Sequence, residues 1–180
     1  MPIVETSRTD RPLLSIQRNL DEAFQRHATS KIDLSPKLGV RTSDGKAYLL
    51  NLEDFDETMM TEEVMSVGRI NSWVKGITSW RGRVFTIIDM SILFDCPQSS
   101  DAGNSSIFGS ILNASHDKNW ALVWSGGTEG LVDVSKFKKL DRPADSPVWI
   151  SGIYEDSHAE KWYALDIESL LTFEKLSKVL

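Results

Sequence analysis

The chain begins on a helical rhythm and changes to a strand rhythm near residue 37. Between 12 and 28, apolar residues fall at Leu13, Ile16, Leu20, Phe24 and then His27 or Ala28. That three-to-four spacing predicts an amphipathic helix, with Asp10 placed to cap it and Pro12 in its first turn. Such a helix either packs on its own domain or offers its apolar face to a partner. Residues 30–36 read as a linker, so 1–36 forms an N-terminal extension and 37–180 the main domain.

From 38 onward short β-like runs alternate with turn residues. Strands are predicted at 38–42 and 46–52, joined by Ser43-Asp44-Gly45, and at 84–88, where VFTII is β-branched and uncharged. Asp89 can cap a short turn at 90–94. Residues 95–106, rich in Ser, Asn, Asp and Gly, have no apolar period and mark a boundary between two β subdomains. A second hairpin is predicted at 107–114 and 120–124, then a glycine bend at Gly126, Gly127 and Gly130, and a run at 131–140. Further strands follow at 148–154 and 161–165. Asp166 then caps a helix in which Ile167, Leu170 and Leu171 share one face. The fold class is mainly β with helices at both termini.

Charge polarises this pattern. Residues 53–63 (EDFDETMMTEE) hold six acids and no base, and 69–83 (RINSWVKGITSWRGR) hold four bases and no acid. Such runs form a solvated surface or steer a complementary partner. The whole chain carries 20 Lys and Arg against 26 Asp and Glu, a net charge of −6. That argues against broad binding to nucleic acid or anionic membranes, which depends on many cations acting together. No apolar run approaches the length of a membrane span. One cysteine excludes an internal disulfide framework, three scattered histidines offer no metal-binding spacing, and residues 1–10 lack a secretory pattern. A cytoplasmic protein without cofactor or metal is expected.

Enzymatic signatures fail on spacing. GVRTSDGKA places five residues between Gly39 and Gly45 instead of the four of a phosphate loop, and Ala47 replaces the hydroxyl that would bind magnesium. No Gly-x-Ser-x-Gly elbow occurs, and nothing in 53–63 sets two carboxylates across a cleft. Trp120 and Trp124 lie an even number of residues apart on one strand, which places both on one side, either in a core or on a stacking face.

One segment carries a sharper signal. In 71–94, NSWVKGITSWRGRVFTIIDMSILF, a Val74-Lys75-Gly76 step precedes an Arg81-Gly82 loop and a hydrophobic strand ending in Asp89-Met90. This resembles the CheW-like adaptor domain of bacterial chemosensory systems. Trp73 before Val-Lys-Gly, with the N-terminal extension, is most similar to the PilI-type adaptors of twitching motility. Two departures stand out: Thr78-Ser79-Trp80 replaces the family's Asn-Leu approach to the arginine, and 120–134 keeps part of its Gly-Leu-Val-Val-Asp pattern.

The resemblance implies two small five-stranded β-barrels packed on an apolar seam, with no catalytic site. It implies a non-enzymatic adaptor coupling a chemoreceptor signalling tip to the regulatory domain of a CheA-type histidine kinase, in a type IV pilus pathway. Val74, Lys75, Gly76, Trp80, Arg81 and Gly82 are then the partner-binding residues. Arg81 either braces its own loop or touches the receptor, since its planar fork of donors suits both. Gly76 and Gly82 allow turns or close approaches that a Cβ would obstruct. The alternative is a diverged module of the same descent that binds another protein and no longer serves a kinase.

Overall fold

The computed structural model describes residues 37–68, 71–97 and 107–177. The expected helix at 12–28, the linker at 30–36 and most of the 95–106 loop lie outside them. Two strands show why the apolar runs are uninterrupted. In β2 (Ala47–Asn51), Tyr48 and Leu50 enter the largest apolar cluster while Ala47 and Leu49 enter a second one on the other face. In β7 (Trp120–Val123), Trp120 and Leu122 join the large cluster, and Ala121 and Val123 a third. Both faces of these strands are covered, so Ala47–Leu50 and Trp120–Val123 are unbroken runs without a charge. Trp124 also lies in the large cluster, so the even spacing from Trp120 serves burial.

Eleven strands form two sheets among the described residues. The six-stranded sheet has the order β8-β1-β2-β11-β10-β9, built from β1 (Lys37–Arg41), β2, β8 (Gly127–Val132), β9 (Lys138–Leu140), β10 (Ile150–Glu155) and β11 (Lys161–Leu165). The five-stranded sheet has the order β3-β6-β7-β5-β4, built from β3 (Phe55–Thr61), β4 (Val74–Trp80), β5 (Arg83–Asp89), β6 (Ile107–Leu112) and β7. Neighbours are antiparallel except β2 with β11 and β5 with β7, which run parallel.

Each sheet encloses a small interior of its own. Met59, Phe85, Ile87 and Ile111 fill that of the five-stranded sheet, and Ala47, Leu49, Trp162 and Ala164 that of the six-stranded sheet. Their opposite faces meet in the large cluster, where Val40, Tyr48, Leu50 and Leu165 pack with Ile88, Leu112, Leu122 and Trp124. The short helices α1 (Met90–Leu93), α2 (Ile167–Leu171) and α3 (Glu174–Ser177) lie in the same seam through Met90, Leu93, Ile167, Leu170 and Leu176. Asp89 and Asp166 cap α1 and α2 through side-chain oxygens, as their positions in the sequence imply.

The mainly β fold with an apolar seam is as expected, and several details differ. The sheets have six and five strands, and neither closes by a complete ladder; one isolated bridge, Met65 with Ile77, links the chain leaving β3 to β4. Each sheet draws strands from both sides of 95–106, so a cut there does not separate the sheets. Four pairings cross that stretch, the parallel β2 with β11 and β5 with β7 and the antiparallel β1 with β8 and β3 with β6. The acidic run is largely a strand: in β3 only Phe55 and Met59 are buried, and a bulge near Asp56 turns them into different apolar clusters although they lie four residues apart. Edge position tolerates the remaining charges. The glycine bend is likewise strand β8, with Gly127 and Gly130 at positive φ.

Candidate functional site

The motif residues fall on one hairpin, β4–β5, closed by a two-residue turn. Trp80 pairs with Arg83, and Arg81 and Gly82 form the turn with φ of 48° and 77°. Two positive φ values match the primed turns whose twist suits a hairpin, and Asn or Gly adopts the first position at lowest cost. Arg81 occupies it nonetheless. Its side chain is 73% exposed, pairs with the Glu57 carboxylate (Nη1 to Oε2, 3.2 Å) and lies over the Trp80 ring at 5.8 Å. Trp80 is half-buried against the interior of the five-stranded sheet, which anchors the tip.

At the base of the hairpin the ladder slips. Val74 opposes Ile88 and Gly76 opposes Ile87, so Lys75 is the extra residue of a bulge. Its ammonium reaches Asp89 Oδ2 at 3.1 Å; Lys75 is 36% exposed and Asp89 fully buried. Asp89 Oδ1 accepts from the Ser91 and Ile92 amides at 2.9 and 3.1 Å, and the Ser125 hydroxyl lies 3.4 Å from both oxygens. Gly76 is buried with φ of 148°, and a Cβ there would lie 2.2 Å from the Met65 carbonyl oxygen. That carbonyl accepts from the Ile77 amide at 2.9 Å, and the Met65 amide returns a bond to Ile77 at 2.8 Å. Gly76 therefore permits the contact that bridges β4 to the chain after β3.

The hairpin cations are all held. Lys75 is fixed by Asp89, Arg81 by Glu57, and Arg83 by Asn119 Oδ1 at 3.1 Å and the Phe85 ring at 5.1 Å. Beside them runs a shallow groove with Met65, Ile77 and Val84 on its apolar part and Glu62 and Glu63 on its rim. Met65 and Val84 are 69% and 57% exposed, well beyond what a core role needs. Thr78 closes one end by donating to the Glu63 carbonyl at 2.7 Å. Fixed cations beside an apolar groove form a surface suited to protein contact.

Of the six residues singled out in the sequence, Lys75, Arg81 and Gly82 are exposed, Val74 and Trp80 half-buried and Gly76 buried. Val74 packs against the large seam cluster, and Trp73 is a seam residue at 5% exposure. Glu57, Met65 and the carboxylate role of Asp89 toward Lys75 were not picked out by motif reasoning. Nothing local in the sequence marks Met65 as exposed or pairs Glu57 with Arg81. Among the described residues no helix is long and apolar enough to cross a membrane.

Residues 38–175 match the model of the CheW-like domain. Among solved structures, the fold is similar to that of the scaffolding protein TtCheW from Thermoanaerobacter tengcongensis, with a TM-score of 0.59 over 78% of this chain and 94% of that one, at 14% identity. No curated protein sequence matches the chain. The interleaved pair of sheets, the Lys75-Gly76 bulge, the Arg81-Gly82 turn and a family match across most of the chain agree: the chain belongs to the CheW-like domain family.

Proposed function

We propose that this chain is a non-enzymatic cytoplasmic adaptor that couples a chemoreceptor signalling tip to the regulatory domain of a CheA-type histidine kinase. Trp73 ahead of Val74-Lys75-Gly76, together with the N-terminal extension, supports a place in a type IV pilus, twitching-motility pathway. Docking uses the β4–β5 hairpin. Lys75, Trp80 and Arg81 supply contact; Val74, Gly76 and Gly82 set the backbone that presents them.

The observation that carries this reading is Arg81, a bulky exposed residue at a left-handed turn position where Asn costs less. A conformation that a different residue would hold more cheaply points to a role outside the fold. Among the described residues its one ion pair is with Glu57, and at 73% exposure the planar fork of donors stays accessible to a partner carboxylate.

Arg81→Asn separates the two roles. The variant is expected to unfold at the same temperature as the natural chain or slightly higher, and to lose about tenfold or more in affinity for a receptor tip or kinase regulatory domain. Full affinity in Arg81→Asn takes the residue out of the docking face.

A further inference from the structure

Asp89 is a buried carboxylate placed where three parts of the fold meet. Its backbone amide bonds the Trp73 carbonyl at 2.8 Å, its Oδ1 caps α1, and its Oδ2 holds Lys75 across the bulge. Capping alone does not require the charge: Asn caps a helix about as well as Asp. Burying a carboxylate is costly unless a cation and hydrogen bonds compensate it, so the negative charge here has to be explained by what it does to Lys75.

Lys75 differs from an ordinary surface lysine in two respects. The bulge sets it outside the normal alternation of β4, and the buried carboxylate pins one end of a side chain that otherwise has many rotamers. An ammonium has three donors, and among the described residues Asp89 is its one ion-pair partner, while the group stays 36% exposed. The ammonium thus keeps donors available to solvent while its position is already set by the ion pair. A second carboxylate arriving there meets an ordered cation and does not have to immobilise it.

We infer that Asp89 is a positioning residue that holds Lys75 ready for an acidic group on the docking partner. The inference rests on the docking face proposed above and adds the chemistry of one of its contacts: a carboxylate from the partner, bound by the outward side of the Lys75 ammonium.

The test measures affinity of the full chain for the cognate kinase regulatory domain across a range of salt concentrations, for the natural chain, Asp89→Asn, Lys75→Met and the double variant. Asp89→Asn retains the cap and loses the charge, so the fold survives. Each single variant is expected to bind about threefold to tenfold more weakly. The double variant should be no weaker than the singles, and all three should show the same reduced salt dependence. In parallel, side-chain relaxation of the free protein should show the Lys75 ammonium ordered in the natural chain and mobile in Asp89→Asn. If Lys75 merely neutralises Asp89, the double variant binds as tightly as the natural chain and only Lys75→Met loses stability; that result overturns the inference while the docking face stands. A Lys75 ammonium equally mobile with and without Asp89 overturns it too. A natural chain that does not bind at all removes the docking face, and the inference with it.

Discussion

Replacing Gly76 by Ala perturbs the hairpin at a point where the structure fixes the cost. The added Cβ would lie 2.2 Å from the Met65 carbonyl oxygen, 2.9 Å from its carbon and 2.9 Å from Val64 Cγ1. Backbone atoms cannot rotate away as a side-chain tip can, so the chain at 64–65 must retreat from β4. That retreat breaks the two Met65–Ile77 backbone bonds, each worth about 0.5–1.5 kcal/mol. The positive φ of 148° adds about 1 kcal/mol for a residue with a Cβ. The sum is about 3 kcal/mol, or about 10 °C in the midpoint of thermal unfolding for a domain of this size. Gly82→Ala is the control: its φ of 77° is equally left-handed, but nothing lies within 4 Å of the new Cβ, so about 1 kcal/mol is expected. Thermal melts followed by circular dichroism give the two shifts, and hydrogen exchange at the Met65 and Ile77 amides reports the bridge. Equal shifts for both variants, or unchanged protection at Ile77 in Gly76→Ala, would refute the close-approach argument.

Two other measurements probe the frame around the site. Leu122 is fully buried in the seam between the sheets, so Leu122→Ala should cost about 2–5 kcal/mol and lower the denaturant midpoint without changing the sheet signal of the folded state. Hydrogen bonds from Arg41, at 2.5 and 2.9 Å, hold the Glu160 carboxyl below its usual value of 4.5, against the opposing effect of burial. The folded state therefore binds this proton less readily than the unfolded chain. Its stabilisation is present above pH 4.5 and is lost as pH falls through the lower folded value. Urea titrations at descending pH should show a shallower acid loss of stability in Glu160→Gln than in the natural chain; parallel curves would contradict the pairing.

How much of this was legible in the sequence depended on burial. Strands β2, β5, β7 and β11 could be read because they are covered on both faces or nearly so, and their composition states it: YLL, FTII, WALV and WYAL. β3 could not, because an edge strand with Phe55 and Met59 as its only buried residues and a bulge between them has the composition of a loop. β8 was obscured by Gly127 and Gly130, which bend an edge strand without ending it. The caps at Asp89 and Asp166 were readable since a cap is a local interaction. Which strands share a sheet was not: the pairings Trp162 with Ala47 and Thr86 with Trp120 join distant segments, and periodicity contains no information about the partner.

The candidate site divides along the same line. Gly76 and Gly82 signal turns or close approaches, and the structure has a close approach at Gly76 and a turn at Arg81-Gly82, whereas the bulge at Lys75 had no sequence signal. What fixes the cations comes from elsewhere: Glu57 from an edge strand, Asn119 from a loop, and Asp89 from the far end of the partner strand. Trp73 and Val74, prominent in the motif, pack in the seam and contribute by shaping the base of the hairpin.

An adaptor must hold two proteins at once, and this is the most direct thing to measure. The intact chain, mixed with a cognate receptor signalling tip and the regulatory domain of a CheA-type kinase at concentrations on the order of micromolar, should retain both on one column or sedimenting species, and Arg81→Asn should release at least one of them. Retention of neither by the natural chain would contradict the adaptor reading.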